Sequence, residues 1–80
     1  MALYFLHLRD GTDEILDPDG SECATLESLK SHVLTCAREL LSHDIKSGTL
    51  NLKFRIDAED NGQAIIYTLP FKDAFRIIPE

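Results

Sequence analysis

A chain of 80 residues has room for one hydrophobic core and buries only about 60% of its unfolded surface, so residues 1–80 are read as a single small domain. Its formal charge of -6, from 14 acidic against 8 basic side chains, opposes the cationic phosphate contacts that nucleic-acid binding needs and disfavours an anionic membrane surface, while attracting a basic partner. Two cysteines are too few for a disulfide scaffold, Arg9 and Asp10 interrupt the N-terminal apolar run, and no stretch approaches the ~20 apolar residues of a membrane span; the expectation is a cytoplasmic protein with reduced thiols.

Ala2 to Leu8 is a short, nearly continuous apolar run rich in aromatic and branched residues, which fits a strand, at residues 2–9, covered on both faces or placed centrally in a sheet. Asp10-Gly11 then offers a turn, and residues 13–17 can return as a shorter strand whose apolar content is Ile15-Leu16. Asp17-Pro18-Asp19-Gly20 is a turn with a mechanism: Pro sets φ, Asp bonds its own backbone and Gly relieves the last position. Ser21 to Ala24 is expected to be extended and brief, and could continue the second strand after a break.

Thr25 suits an N-cap and Glu27 the positive end of the helix that follows. Leu26, Leu29, Val33, Cys36, Ala37, Leu40 and Leu41 recur at spacings of three and four, with Ile45 on the margin of the stripe. Lys46 suits the negative end and Gly48 the left-handed position beyond it, which places the helix at residues 26–47.

Residues 50–59 alternate Leu50, Leu52, Phe54, Ile56 and Ala58 with Asn51, Lys53, Arg55, Asp57 and Glu59, the period of a strand with one apolar face. Asn61-Gly62 reads as a type I′ turn into a strand at 63–70, with Asp60 facing Gln63, Ala58 facing Ile65, Ile56 facing Tyr67, Phe54 facing Leu69 and Leu52 facing Phe71. Pro70 ends that strand or sits at an edge. Phe71 to Phe75 forms a tight turn, and Ile77-Ile78 a last extended piece. The expected fold is α+β: a β-β-α-β-β two-layer sandwich with one long helix on a mostly antiparallel sheet.

One helix cannot cover every apolar residue of such a sheet. Ala64, Ile66, Thr68 and Pro70 on the last strand, with either Leu3 and Phe5 or Tyr4, Leu6 and Leu8 on the first, leave a second apolar face, which marks a dimer interface or a partner site. The candidate interface is Tyr4, Leu6, Leu8, Ile66 and Thr68.

Residues that could carry chemistry are better explained by structure. His32, Cys36, Glu39 and His43 share a helix flank but span too many turns to converge on one metal ion. Asp17-x-Asp19-Gly20 has part of a calcium loop, yet Ile15 and Leu26 occupy the two positions where carboxylates are required. His7 lies on the strand face of Leu3 and Phe5 with no nucleophile placed beside it, and Lys53 with Arg55 is a solvated pair. No catalytic, cofactor or metal residue is assigned.

Leu3-Tyr4-Phe5-Leu6-His7-Leu8-Arg9-Asp10-Gly11, Ala37-Arg38-Glu39-Leu40 and Thr68-Leu69-Pro70-Phe71-Lys72-Asp73-Ala74 together resemble a family of short bacterial proteins of unknown function. Its members open with a Tyr-Phe-Phe-His-Leu-Arg-Asp-Gly-like stretch and close with Leu-Pro-Phe-x-Asp-Ala; Leu6 here replaces a Phe, and Thr25 the usual Asp. The resemblance implies the same fold and a bacterial cytoplasmic origin, and it implies no activity. A looser likeness is to small α+β antitoxins, in which an acidic protein masks a basic toxin. The first expectation is therefore a non-enzymatic, homodimeric protein-interaction module. Antitoxin-like masking of a basic partner is the second, and a small enzyme or ligand binder the third.

Overall fold

The sheet is assembled around β1 (Ala2–Arg9). A computed structural model describes residues 2–48, 51–76 and 78. On one edge β1 pairs with β2 (Glu14–Ile15) and β3 (Ser21–Cys23), and on the other with β4 (Arg55–Glu59), which pairs with β5 (Ile65–Pro70). Every pairing is antiparallel. A strand with neighbours on both sides is what the nearly continuous apolar run of β1 requires. One long helix, α1 (Leu26–Ser47), packs on one face, so the fold is α+β as expected.

α1 has the predicted ends. The Thr25 hydroxyl accepts the Ser28 N–H, and the Ser28 hydroxyl accepts the Thr25 N–H, which satisfies two amides at this helix end. Gly48 closes the other end at φ 89°. Leu29, Val33, Ala37 and Leu41 are buried while Leu26, Leu40 and Ile45 are exposed. The four-residue spacing of the buried set makes a narrower stripe than the sequence suggested, because a helix lying on a sheet meets it along one line.

Tyr4, Leu6 and Leu8 of β1 pack against this core with Ile56, Ala58 and Leu69. Tyr67 joins them from β5, with the Lys30 ammonium of α1 5.4 Å from its ring centre. The register sets Leu6 opposite Ala58 and Leu8 opposite Ile56, so the alternate residues Phe5, His7 and Arg9 stand opposite Glu59, Asp57 and Arg55 on the outer face.

The β4–β5 hairpin departs from the expected register. Ala58 faces Tyr67 and Ile56 faces Leu69, with a bulge beside Glu59, which faces Ile65. The cause is the loop. Asp60 accepts the amides of Gly62 and Ala64 on its carboxylate and that of Gln63 on its carbonyl, and its own N–H reaches Ala64. These bonds enlarge the connection beyond a two-residue turn, and Gln63 rather than Gly62 takes the left-handed conformation, at φ 68°. The two-residue slip keeps Tyr67 and Leu69 on the core face. A non-glycine residue in that region is strained by about 1 kcal/mol, so Gln63→Gly is expected to raise stability by roughly 0.5–1 kcal/mol; urea denaturation reads this directly.

The strands expected at 50–59 and 63–70 are shorter at their starts, Arg55 and Ile65. β1 turns away after Arg9, the partner of Arg55, so earlier residues have no ladder to join. Leu52 and Phe54 still pack on the core, and the Phe71 N–H reaches the Phe54 carbonyl at 3.0 Å. The strand expected at 13–17 keeps two residues, Glu14 and Ile15, and Ser21–Cys23 resumes along the same edge of β1. Phe71–Asp73 forms the tight turn, as a 3-10 helix. Leu50 and Ile77 lie outside the described residues.

Candidate functional site

The outer face of the sheet carries a charged network where alternation alone predicted a solvated polar face. Arg9 is its hub. One guanidinium nitrogen, Nη1, donates to Asp57 Oδ2 at 2.9 Å and to Glu59 Oε2, while Nε donates to Glu14 at 3.2 Å. Arg55 Nε donates to Asp57 at 3.2 Å, and the Thr68 hydroxyl to Asp57 at 2.9 Å. Asp57 is 1% exposed despite lying on the face away from the helix. Burial works to raise its carboxyl, but hydrogen bonds from Arg9 and Thr68 and the charge of Arg55 outweigh it and hold the group below the ordinary carboxylate range. The hydrogen bonds from Arg9 to Glu59 and Asp57 push its guanidinium further up.

A second centre closes the gap between β2 and β3. The arch at residues 16–20 interrupts strand pairing beside Leu6, whose N–H is taken by Asp17 Oδ2 at 3.2 Å. Asp17 Oδ1 accepts the amides of Asp19 and Gly20, and the Asp17 N–H reaches His7 Nδ1 at 3.1 Å. Burial would raise the Asp17 carboxyl, yet the amides of Gly20, Leu6 and Asp19 hold it below the usual range. With Nδ1 accepting, neutral His7 carries its proton on Nε2, 3.7 Å from Glu59 Oε1. An open groove of about 530 Å³ lies between this arch and the hairpin tip, lined by Phe5, His7 and Glu59 among others.

The residues singled out in the sequence are thus divided. Tyr4, Leu6 and Leu8 lie on the helix side, packed against the core. Thr68 is on the opposite face bound to Asp57, and Ile66, 42% exposed, sits at the bulge. The five do not form one surface, because the helix chose the even-numbered side of β1. His32 Nε2 lies 3.2 Å from the Ser21 hydroxyl and 3.8 Å from Cys36 Sγ. Burial first, then the charges of Glu39 and Asp17, push the Cys36 thiol up, away from a reactive thiolate. Among the described residues no group of three His, Cys, Asp or Glu side chains is placed to hold a metal, and no helix is long and apolar enough to cross a membrane.

Sequence reasoning missed the Arg9–Asp57–Glu59 triad. A signal was present: a cation on one strand and two carboxylates at alternate positions of another, all on outward faces. Only the β1–β4 pairing, which joins residues some fifty apart in the chain, turns it into a site.

No curated protein and no solved structure matches the chain. A family model described as "Domain of unknown function (DUF6894)" matches residues 3–72, from β1 into the 3-10 turn, and so takes in the triad, the arch and all five strands. The chain belongs to this DUF6894 family.

Proposed function

We propose that this protein is a non-enzymatic interaction module that pairs with a second copy of itself along β5, in the bacterial cytoplasm. The observation that carries the reading is the open edge of β5, which among the described residues pairs with β4 alone. The Phe71 N–H points to Phe54, so by alternation those of Leu69 and Tyr67 also face β4. The N–H of Thr68 then faces outward, and Pro70, which has none, costs the β4 ladder nothing; the bulge interrupts the alternation at Ile66. Exposed edges are usually blunted with charge; from Ala64 to Pro70 there is no charged side chain. Antiparallel pairing of two such edges about a two-fold axis joins the N–H and C=O of Thr68 to those of Thr68 in the other copy.

The non-enzymatic part of the reading is supported by His7, whose Nδ1 is occupied by a backbone amide, and by a Cys36 thiol held protonated. Edge pairing also replaces the face-to-face dimer expected from Tyr4, Leu6 and Leu8, since the outer face is built from charges. Sedimentation equilibrium is expected to give twice the chain mass. Ile66→Lys, at an exposed position, shifts it to the single-chain mass, as does Thr68→Pro, which removes an outward N–H. A monomer at all concentrations, or a dimer indifferent to both changes, overturns the reading.

A further inference from the structure

An imidazole nitrogen that accepts a backbone N–H has to be unprotonated. His7 of β1 is held in this way: its Nδ1 takes the Asp17 N–H of the arch at 3.1 Å, and its side chain is only 13% exposed. We propose that this bond is a proton-controlled latch, and that protonation of His7 at Nδ1 releases the Leu16–Asp17 peptide group from β1. The latch stands two strands away from the β5 edge and does not depend on pairing there.

Two features pull the ring in opposite directions, and a switch needs both. The first is the latch. A proton on Nδ1 turns the acceptor into a second donor, so two N–H groups would point at each other across 3.1 Å. The closed arch therefore requires the neutral ring. The second is the charge around it. Glu59 of β4 places Oε1 3.7 Å from Nε2, and Asp57 stands opposite His7 in the β1–β4 register. Glu14 of β2, Asp17 of the arch and Asp60 of the hairpin tip line the same groove as His7. Arg9 offsets part of this while bound to Glu14, Asp57 and Glu59, and Arg55 is bound to Asp57. β5 carries no charged side chain, and α1 lies on the opposite face of the sheet. The surroundings thus favour an imidazolium, which the latch alone forbids.

The remaining bonds of Asp17 confine the movement. Its carboxylate accepts the amides of Leu6, Asp19 and Gly20, and against the upward push of burial these amides hold it below the usual carboxylate range. It stays ionised between pH 8 and pH 5, where histidine exchanges its proton. Leu8 remains paired with Ile15 on the other side. The unit free to turn is the peptide group between these anchors, together with the half-exposed Leu16. The closed form carries no proton on Nδ1 and the released form carries one, so acid favours release. The ratio of closed to released falls by up to about tenfold for each pH unit lost.

The test follows the full chain, labelled with ¹⁵N, from pH 8 to pH 5. At pH 8 the ring ¹⁵N–¹H correlations are expected to show His7 unprotonated at Nδ1 and protonated at Nε2; the reverse tautomer overturns the proposal. On acidification the Asp17 amide should lose hydrogen-exchange protection at least tenfold, relative to the intrinsic rate at each pH and in step with the His7 ring signals. The amides of Leu6 and Gly20 should keep theirs. His7→Asn, which offers an oxygen acceptor but takes up no proton, should hold the Asp17 protection constant over this range. Should that variant fail to fold, the ring signals of the parent still decide the matter. His32→Gln alters the histidine beside Ser21 of β3 and should respond as the parent does. Asp17 protection that is indifferent to pH, that is lost in step with His32 instead, or that still falls in a folded His7→Asn overturns the proposal.

Discussion

Replacing Arg9 by Met is expected to lower the stability of the domain by about 3–5 kcal/mol, the usual cost of removing one partner from a buried ionic group. The side chain is 20% exposed, but Asp57 and Glu59, which share its Nη1, are almost fully enclosed. Without the guanidinium, two neighbouring carboxylates face each other on adjacent outward positions of β4 with only Arg55 and Thr68 left to Asp57. Arg9→Lys should recover part of the loss, because an ammonium restores charge but cannot reach Asp57, Glu59 and Glu14 with the same fork.

The pH dependence separates this cause from lost packing. In the parent protein the folded Asp57 carboxyl titrates below its unfolded value, so its contribution is complete above the ordinary carboxylate range and is lost as pH falls through the folded value. In Arg9→Met the charges are uncompensated, and protonating one carboxylate relieves the repulsion. The gap between the two proteins should therefore narrow on going from neutral pH to about pH 4. Urea denaturation at both pH values gives the comparison, and a gap independent of pH would point to lost packing of the Arg9 stem instead.

Phe71→Ala is expected to cost about 3–5 kcal/mol. That is comparable with the whole stability of a domain this size, at about 0.05–0.15 kcal/mol per residue. Phe71 is 1% exposed and packs against Phe54 with ring centroids 6.2 Å apart, just past the ends of β4 and β5. Its neighbour Ala74 is also buried and accepts a hydrogen bond from Arg38 Nε of the helix at 2.8 Å. The 3-10 turn thus ties the sheet to α1, and a cavity there loosens both layers. Phe71→Leu, which keeps most of the volume, should cost about 1.5 kcal/mol or less. Far-UV circular dichroism during thermal unfolding distinguishes the two variants.

Elements whose signals are local were legible in the chain. Thr25 and Gly48 mark the helix ends through bonds to the helix's own backbone, and Pro70 marks an edge because it lacks a donor, so no distant residue is needed to read them. The alternation of Leu52, Phe54, Ile56 and Ala58 likewise identified the core face of β4, since the period of two survives any even slip in register. The hairpin register was less accessible: Asn61-Gly62 points to the commonest short turn, and the competing bonds of the Asp60 carboxylate decide otherwise.

What the amino-acid order determined by itself is the set of elements, their polarity and the α+β class, all of which follow from periodicity and capping over a few residues. The tertiary structure decided which side of β1 meets the helix, and with it whether Tyr4, Leu6 and Leu8 are core or surface. It also decided that Arg9 would meet Asp57 and Glu59, and that His7 and Asp17 would frame one wall of a groove. Those outcomes depend on strand order, which is set by the pairing free energy of segments far apart in the chain. A charge on one strand carries no mark of the strand that will lie beside it.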